Sequence, residues 1–150
     1  MAFDAAAATA LFQALESHAM SLGLFARVNL HEPANAPGSK LSCSITLGPV
    51  APYPAGSGLA TVTFRFTFNV RLYSAMTQRP LDAIDPDLLA ATVTLLGEYA
   101  GNFSLGGTVR DIDVLSLAAN PVYLGQDGKE FRVMQITLPV IVNDVLTEVA

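Results

Sequence analysis

Hydrophobic and polar positions alternate almost without a break over TVTFRFTFNVRLY, residues 61–73. Val62, Phe64, Phe66, Phe68, Val70 and Leu72 fall on one face of a strand. Thr61, Thr63, Arg65, Thr67, Asn69, Arg71 and Tyr73 fall on the other. Thirteen residues at ~3.3 Å each span about 43 Å, more than a small single-layer domain needs, so a projecting hairpin is predicted. Its other arm is LSCSITL, where Leu41, Cys43, Ile45 and Leu47 share the inward phase. Between the arms lies GPVAPYPAGSG, with Pro49, Pro52 and Pro54, and the spacing predicts an antiparallel pair with a long tip from Gly48 to Gly58.

Two segments have helical spacing. In the first, Asp4 is an N-cap, Phe12, Leu15, Ala19 and Leu22 recur with Leu11 beside them, and Gly23 ends the run. In DAIDPDLLAATVTLLGEYAGN, Asp85 can cap, Pro86 suits the first helical position and Asp87 sits at the positive end of the dipole. Leu89, Val93, Leu96 and Ala100 are the expected core stripe, closed by Gly101. LFARVNL reads as a short extended segment and HEPANAPGSK as a loop. TVRDIDVLSL and PVYLG read as strands or part strands. QDGK is a hairpin turn. The last strand, EFRVMQITLPVIV, has mixed phases: Phe131 and Val133 on one face, Met134, Ile136, Leu138, Val140 and Val142 on the other. Burial on both faces, a bulge near Gln135 or a subunit contact would each explain this. Pro139 lacks a ladder donor and argues for an edge or a bulge. These elements describe one α+β domain over residues 1–150: a mostly antiparallel sheet with a long β-hairpin, flanked by an N-terminal helix and a central helix.

Composition narrows the function classes. Hydrophobic residues are 51% and charged residues 14% of the chain, too apolar for disorder. So few charges fit a surface partly covered by partners, or simply an Ala-rich chain. The net charge of −5, from 13 acids and 8 bases, disfavours a protein that grips phosphates. The single cysteine, Cys43, excludes an internal disulfide and lies in the apolar phase, as a small core residue does. No segment has the ~20 apolar residues of a membrane span. The N-terminus lacks a basic region and carries Asp4, which predicts a cytosolic product.

Candidate chemistry is sparse. His31 and Glu32 are adjacent and point apart, and His18 stands alone on the first helix, so no metal site is expected. Asp111 and Asp113 would share a strand face next to Arg110, without a nucleophile or pocket motif beside them. SLGGT and GSG lack the spacing and the Lys-Ser/Thr ending of a phosphate loop. No catalytic, cofactor or metal residues are predicted. The informative polar residues are Arg65, Arg71 and Tyr73 on the long strand, whose Thr-rich face suits either water or a neighbouring protein surface. Tyr53 in the tip is a further candidate interface residue.

In order and length, the pieces resemble the tail terminator proteins of long, non-contractile-tailed bacteriophages. The likeness is carried by AAAATALFQALESHAMSLG, by the long strand ending in RLYSAM, by DPDLLAATVTLLGEYA and by GKEFRVMQITLPVIVND. It implies a non-catalytic virion protein, assembled in the host cytoplasm and located at the tail–neck junction. Six copies would form a ring that caps the tail tube, stops its polymerisation and joins it to a head-side connector or stopper. Genome DNA would pass through without specific binding, along a wall whose acids are expected among Asp111, Asp113, Asp127 and Glu130. No cofactor and no membrane partner are implied. The alternatives are another neck or tube ring, or a free cytosolic ligand-binding α+β protein.

Overall fold

The computed structural model describes residues 3–31, 41–54, 58, 61–76, 81–101, 111–126 and 128–147. Within them lie α1 (Ala5–Ser21), β1 (Arg27–Asn29), β2 (Ser42–Pro52), β3 (Thr61–Ala75), α2 (Ile84–Gly101), β4 (Asp111–Ile112), β5 (Ala118–Gln126) and β6 (Lys129–Thr147). The fold is α+β: six strands form one mostly antiparallel sheet in the order β1-β2-β3-β6-β4, with β5 also paired to β6. Only β1 runs parallel to its neighbour, β2.

Local signals explain most of these elements. The Asp4 carboxylate accepts the Ala7 N–H at 2.9 Å and caps α1. Gly23, at φ 66°, terminates it in the left-handed region. Leu11, Leu15 and Ala19 are buried, with Phe12 and Leu22 packed partly against the same core. β5 pairs with β6 up to Gln126 opposite Lys129, and Gly128 just before β6 has φ 73°.

Both helices pack on one face of the sheet. The core there holds Cys43 and Ile45 of β2, Phe66, Phe68, Val70 and Leu72 of β3, and Ile136, Leu138, Val140 and Val142 of β6. Phe12 meets Phe68 edge-on with ring centroids 5.1 Å apart, and Phe3 reaches Phe66 at the same distance. A smaller cluster of Tyr73, Ala75, Phe131 and Val133, with Leu124, lies on the opposite face. The mixed phases of β6 are therefore burial on both faces at different points along the strand. The β3–β6 register runs unshifted past Arg71 opposite Gln135, so there is no bulge near Gln135.

The hairpin does not project as expected, because β6 pairs with β3 along its whole length, from Thr61 to Ala75. Four further expectations are corrected. First, β2 does not stop at Leu47. It continues through a register shift between Leu47 and Val50, then pairs Val50, Ala51 and Pro52 with Phe66, Arg65 and Phe64. The prolines are tolerated because, among the described residues, β1 covers β2 only from Ser42 to Ser44, which leaves the rest an edge. Tyr53 turns its N–H to the Thr63 carbonyl at 2.7 Å, so Pro52, one residue earlier, turns its nitrogen outward.

Second, α2 buries Ile84, Leu88, Ala91, Thr92, Leu95 and Tyr99, whereas Leu89 and Val93 are 59% and 62% exposed. The helix is apolar or neutral on nearly every side, so its pattern offered two registers. The buried one satisfies its polar groups: Tyr99 bonds the Leu15 carbonyl, and the Thr92 hydroxyl bonds the Leu88 carbonyl at 2.8 Å.

Third, α2 begins at Ile84 after a 3₁₀ turn over Leu81–Ala83. Asp85 thus lies inside the first turn with Asp87, still at the positive end of the dipole.

Fourth, Pro139 is neither on an edge nor in a bulge. It pairs with Thr67 in the middle of the sheet, and its carbonyl accepts the Asp113 N–H at 3.1 Å. Its nitrogen shares that side, where β5 has ended and β4 begins, so the missing donor falls at a break in the ladder.

Candidate interaction surfaces

Among the described residues no helix covers the second face of the sheet. Its middle is a polar lattice across three strands. Ser44, Arg71 and Gln135 form one row, and Thr46, Asn69 and Thr137 the next. Each of these strands alternates, so the polar set faces outward as a consequence of burying the apolar set under the helices.

Arg65 and Arg71 both lie on this face, as expected. Arg71 is half-buried. Arg65 reaches Asp113 at 3.9 Å, with side chains 41% and 21% exposed, a loose surface pair. Asp113 also accepts the Ser116 hydroxyl at 2.8 Å, and Asp111 accepts the neighbouring Ile112 N–H at 2.7 Å.

The expected role of Tyr73 as an outward interface residue is corrected. Its ring is only 1% exposed and fills the small cluster with Phe131 and Val133. Its hydroxyl lies 3.4 Å from the Ser44 hydroxyl. Tyr53 is half-buried, just past the end of β2.

Of the acids expected along one wall, Asp111 and Glu130 lie far apart. Asp111 pairs with Ile141, whereas Glu130 is exposed and pairs with Gly125 at the start of β6. Eleven residues separate positions 130 and 141 on that strand, roughly 36 Å, and their parity places them on opposite faces. Asp127, Arg110 and Glu32 lie outside the described residues.

No family model and no curated protein sequence matches the chain.

Several functional candidates escaped the reading of the sequence. Arg132 is only 15% exposed and bonds Asp85 of α2 through Nε at 3.1 Å. Its guanidinium also lies 4.3 Å from the centroid of the Tyr123 ring. The register of β5 on β6 sets Tyr123 opposite Arg132, and the hairpin turn read in QDGK was the signal for it. Beside it, Pro86, Leu88, Leu89, Pro121 and Met134 line an apolar groove of about 380 Å³ between α2 and β5–β6. Asp85 and Arg132 stand in the same lining.

Chemistry within the molecule is muted. Burial pushes the Cys43 thiol up to about 12 from its ordinary 9.0, which suppresses thiolate formation. Burial raises the Tyr99 phenol as well, with the nearby Cys43 adding to the effect. His18 lies within bonding distance of the Ala14 carbonyl, 2.8 Å away, and tilts against Tyr99. Among the described residues, no three His, Cys, Asp or Glu side chains gather to hold a metal ion. Also among them, no helix is long and apolar enough to cross a membrane.

Proposed function

We propose that this chain is a non-catalytic virion subunit, a tail terminator of a long-tailed phage. Six copies close into a ring that caps the tail tube, ends its polymerisation and joins it to a head-side connector or stopper. The observation that carries the reading is the build of the hairpin. β2 runs on to Pro52, and Leu47 and Val50 stay 55% and 46% exposed along it, beside the buried Phe68 and Phe66 of β3. A half-exposed apolar edge of this kind is suited to meet a neighbour, and the polar lattice offers a second, hydratable contact face. The acidic balance of the chain, −5, suits a wall that DNA passes without sticking.

The test is to delete the gene from the phage and image the particles. Tails of uncontrolled length that fail to join heads are expected. Absence of any tail would instead favour a tube subunit, and joined tails of normal length would refute a terminator role. The apolar groove favours a second reading, a cytosolic ligand-binding protein. Absence of the chain from purified virions would support that one.

A further inference from the structure

We infer that the free edge of β5 takes up an extended segment of a different protein by strand addition, with one apolar side chain of that segment seated in the groove beside α2. The inference does not depend on the ring, because every group it uses lies within one subunit.

Ladder parity shows which groups of β5 are free. The Pro139 carbonyl accepts the Asp113 N–H, so it faces away from β3, whereas the Glu130 carbonyl, of the other parity, accepts the Met76 N–H on the β3 side. The β3–β6 register is unshifted between these points. Thr137, Gln135, Val133 and Phe131 therefore turn their main-chain groups towards β5, where they pair with Ala118, Asn120, Val122 and Leu124. The alternate residues Ala119, Pro121, Tyr123 and Gly125 turn theirs away from β6. Pro121 has no donor, and an outward position is where an edge strand tolerates it. Among the described residues β5 pairs with β6 alone, and Ala118 to Tyr123 are all exposed. Tyr123 and Gly125 thus each offer an N–H and a carbonyl, and Pro121 offers a carbonyl.

This edge carries no guarding charge. No Asp, Glu, Lys, Arg or His occurs from Val114 to Gln126, although exposed edges ordinarily carry charge. Pro121 blocks one donor and leaves the stretch from Val122 to Gln126 open.

The free groups identify the occupant. Outward groups at positions 121, 123 and 125 recur every ~6.6 Å along the strand, a repeat that another extended main chain matches and a compact small molecule does not span. In strand addition these main-chain bonds supply affinity, and pockets for alternate side chains supply specificity. Here the pocket is on the helix-bearing side. Pro121 and Tyr123 stand opposite Met134 and Arg132, and an incoming residue opposite Pro121 points the same way. It meets the groove of about 380 Å³ formed by Pro121 and Met134 with Pro86, Leu88 and Leu89 of α2, which has room for a Leu or Phe side chain. Asp85 and Arg132 pair with each other at the groove, so its lining favours an uncharged side chain. Nothing lies within 4 Å of a Cβ placed on Gly125, which leaves the added strand space to run on past the groove. A second copy is a poor source of the strand. Among the described residues its other edges are β1 and β4, three and two residues long, and the outer part of β2, which carries Pro49 and Pro52.

The test titrates the isotope-labelled full chain with the capped peptide Lys-Thr-Leu-Thr-Leu-Thr-Lys and follows it by NMR. Shifts are expected at Tyr123, Gly125, Leu89 and Met134. Amide exchange at Tyr123 and Gly125 should slow about tenfold or more at saturation, while Val122 and Leu124, already bonded to β6, should change little. Tyr123→Pro, which removes an outward donor, should weaken binding about tenfold or more. Leu89→Lys, at a half-exposed site, should weaken it similarly with the thermal melt unchanged. Peptide shifts confined to another edge, no shifts at millimolar peptide, or binding that survives both substitutions would each overturn the inference. A dimeric mass with Tyr123 and Gly125 already slow to exchange in the absence of peptide would show that a second copy holds the edge, and would overturn the choice of partner.

Discussion

The Tyr99 hydroxyl of α2 donates to the Leu15 carbonyl of α1 at 3.0 Å, in a site closed to water. This one bond sets the rotation of α2 about its axis relative to α1, because a buried phenol must find an acceptor. Tyr99→Phe should cost about 0.5–1.5 kcal/mol, the net worth of one hydrogen bond, since the Leu15 carbonyl retains its place in the helix ladder. Urea titration measures the loss. An unchanged midpoint would show that the bond contributes nothing.

Cys43 and Tyr99 should make the fold sensitive to alkali. Both stay protonated in the folded chain at a pH where the unfolded chain has lost the proton. Unfolding therefore releases protons, and their contribution is complete below about pH 9 and lost as pH rises towards 12. The melting temperature should hold to about pH 9 and then fall. In Cys43→Ala the fall should begin later, near the ordinary tyrosine range of about 10. Thermal melts at stepped pH decide it, and a flat profile to pH 11 would contradict the burial of both groups.

Cys43→Ser places a hydroxyl in the same apolar site and should cost roughly 1–3 kcal/mol. Assembly, assayed on the folded fraction, should be unchanged. Lost assembly with unaltered stability would assign the thiol another role.

Neighbouring leucines on α2 should behave oppositely. Leu88 is 1% exposed and Leu89 59%. Leu88→Ala should cost about 2–5 kcal/mol through lost burial and the cavity left behind. Leu89→Ala should stay within about 0.5 kcal/mol in the isolated subunit. Equal costs by chemical denaturation would mean that the helix sits in the other register.

Two glycines should also diverge. A Cβ on Gly48 would lie 2.8 Å from the Thr67 carbonyl oxygen and 3.2 Å from Nδ2 of Asn69, so the bulged strand approaches β3 too closely for a side chain. Gly48→Ala should lower stability by about 1–3 kcal/mol, as overpacking does. Gly97, in α2, has nothing within 4 Å of the corresponding point. Gly97→Ala should raise stability by about 0.5–1 kcal/mol through helix propensity. Melting temperatures of the two variants should move in opposite directions.

The sequence by itself determined the α+β class, the two faces of β3, the Asp4 and Gly23 ends of α1 and the β5–β6 hairpin. In each case neighbouring positions differ sharply in polarity or backbone preference, and that contrast is local. It did not determine the buried side of α2, where Leu88 to Gly97 offers almost no contrast around the helix. That choice came from Tyr99 meeting Leu15, 84 residues away. Tyr73 has the phase of a polar face, and only the arrival of Phe131 and Val133 on β6 buries it. Pro49 and Pro52 mark a loop by every local rule, yet they lie in a strand because β1 ends at Asn29 and leaves them an edge. Arg65 and Asp113 were assigned to separate surfaces, and the sheet brings them to 3.9 Å. These outcomes depend on which distant segment occupies the adjoining space, and periodicity along the chain carries no information about that.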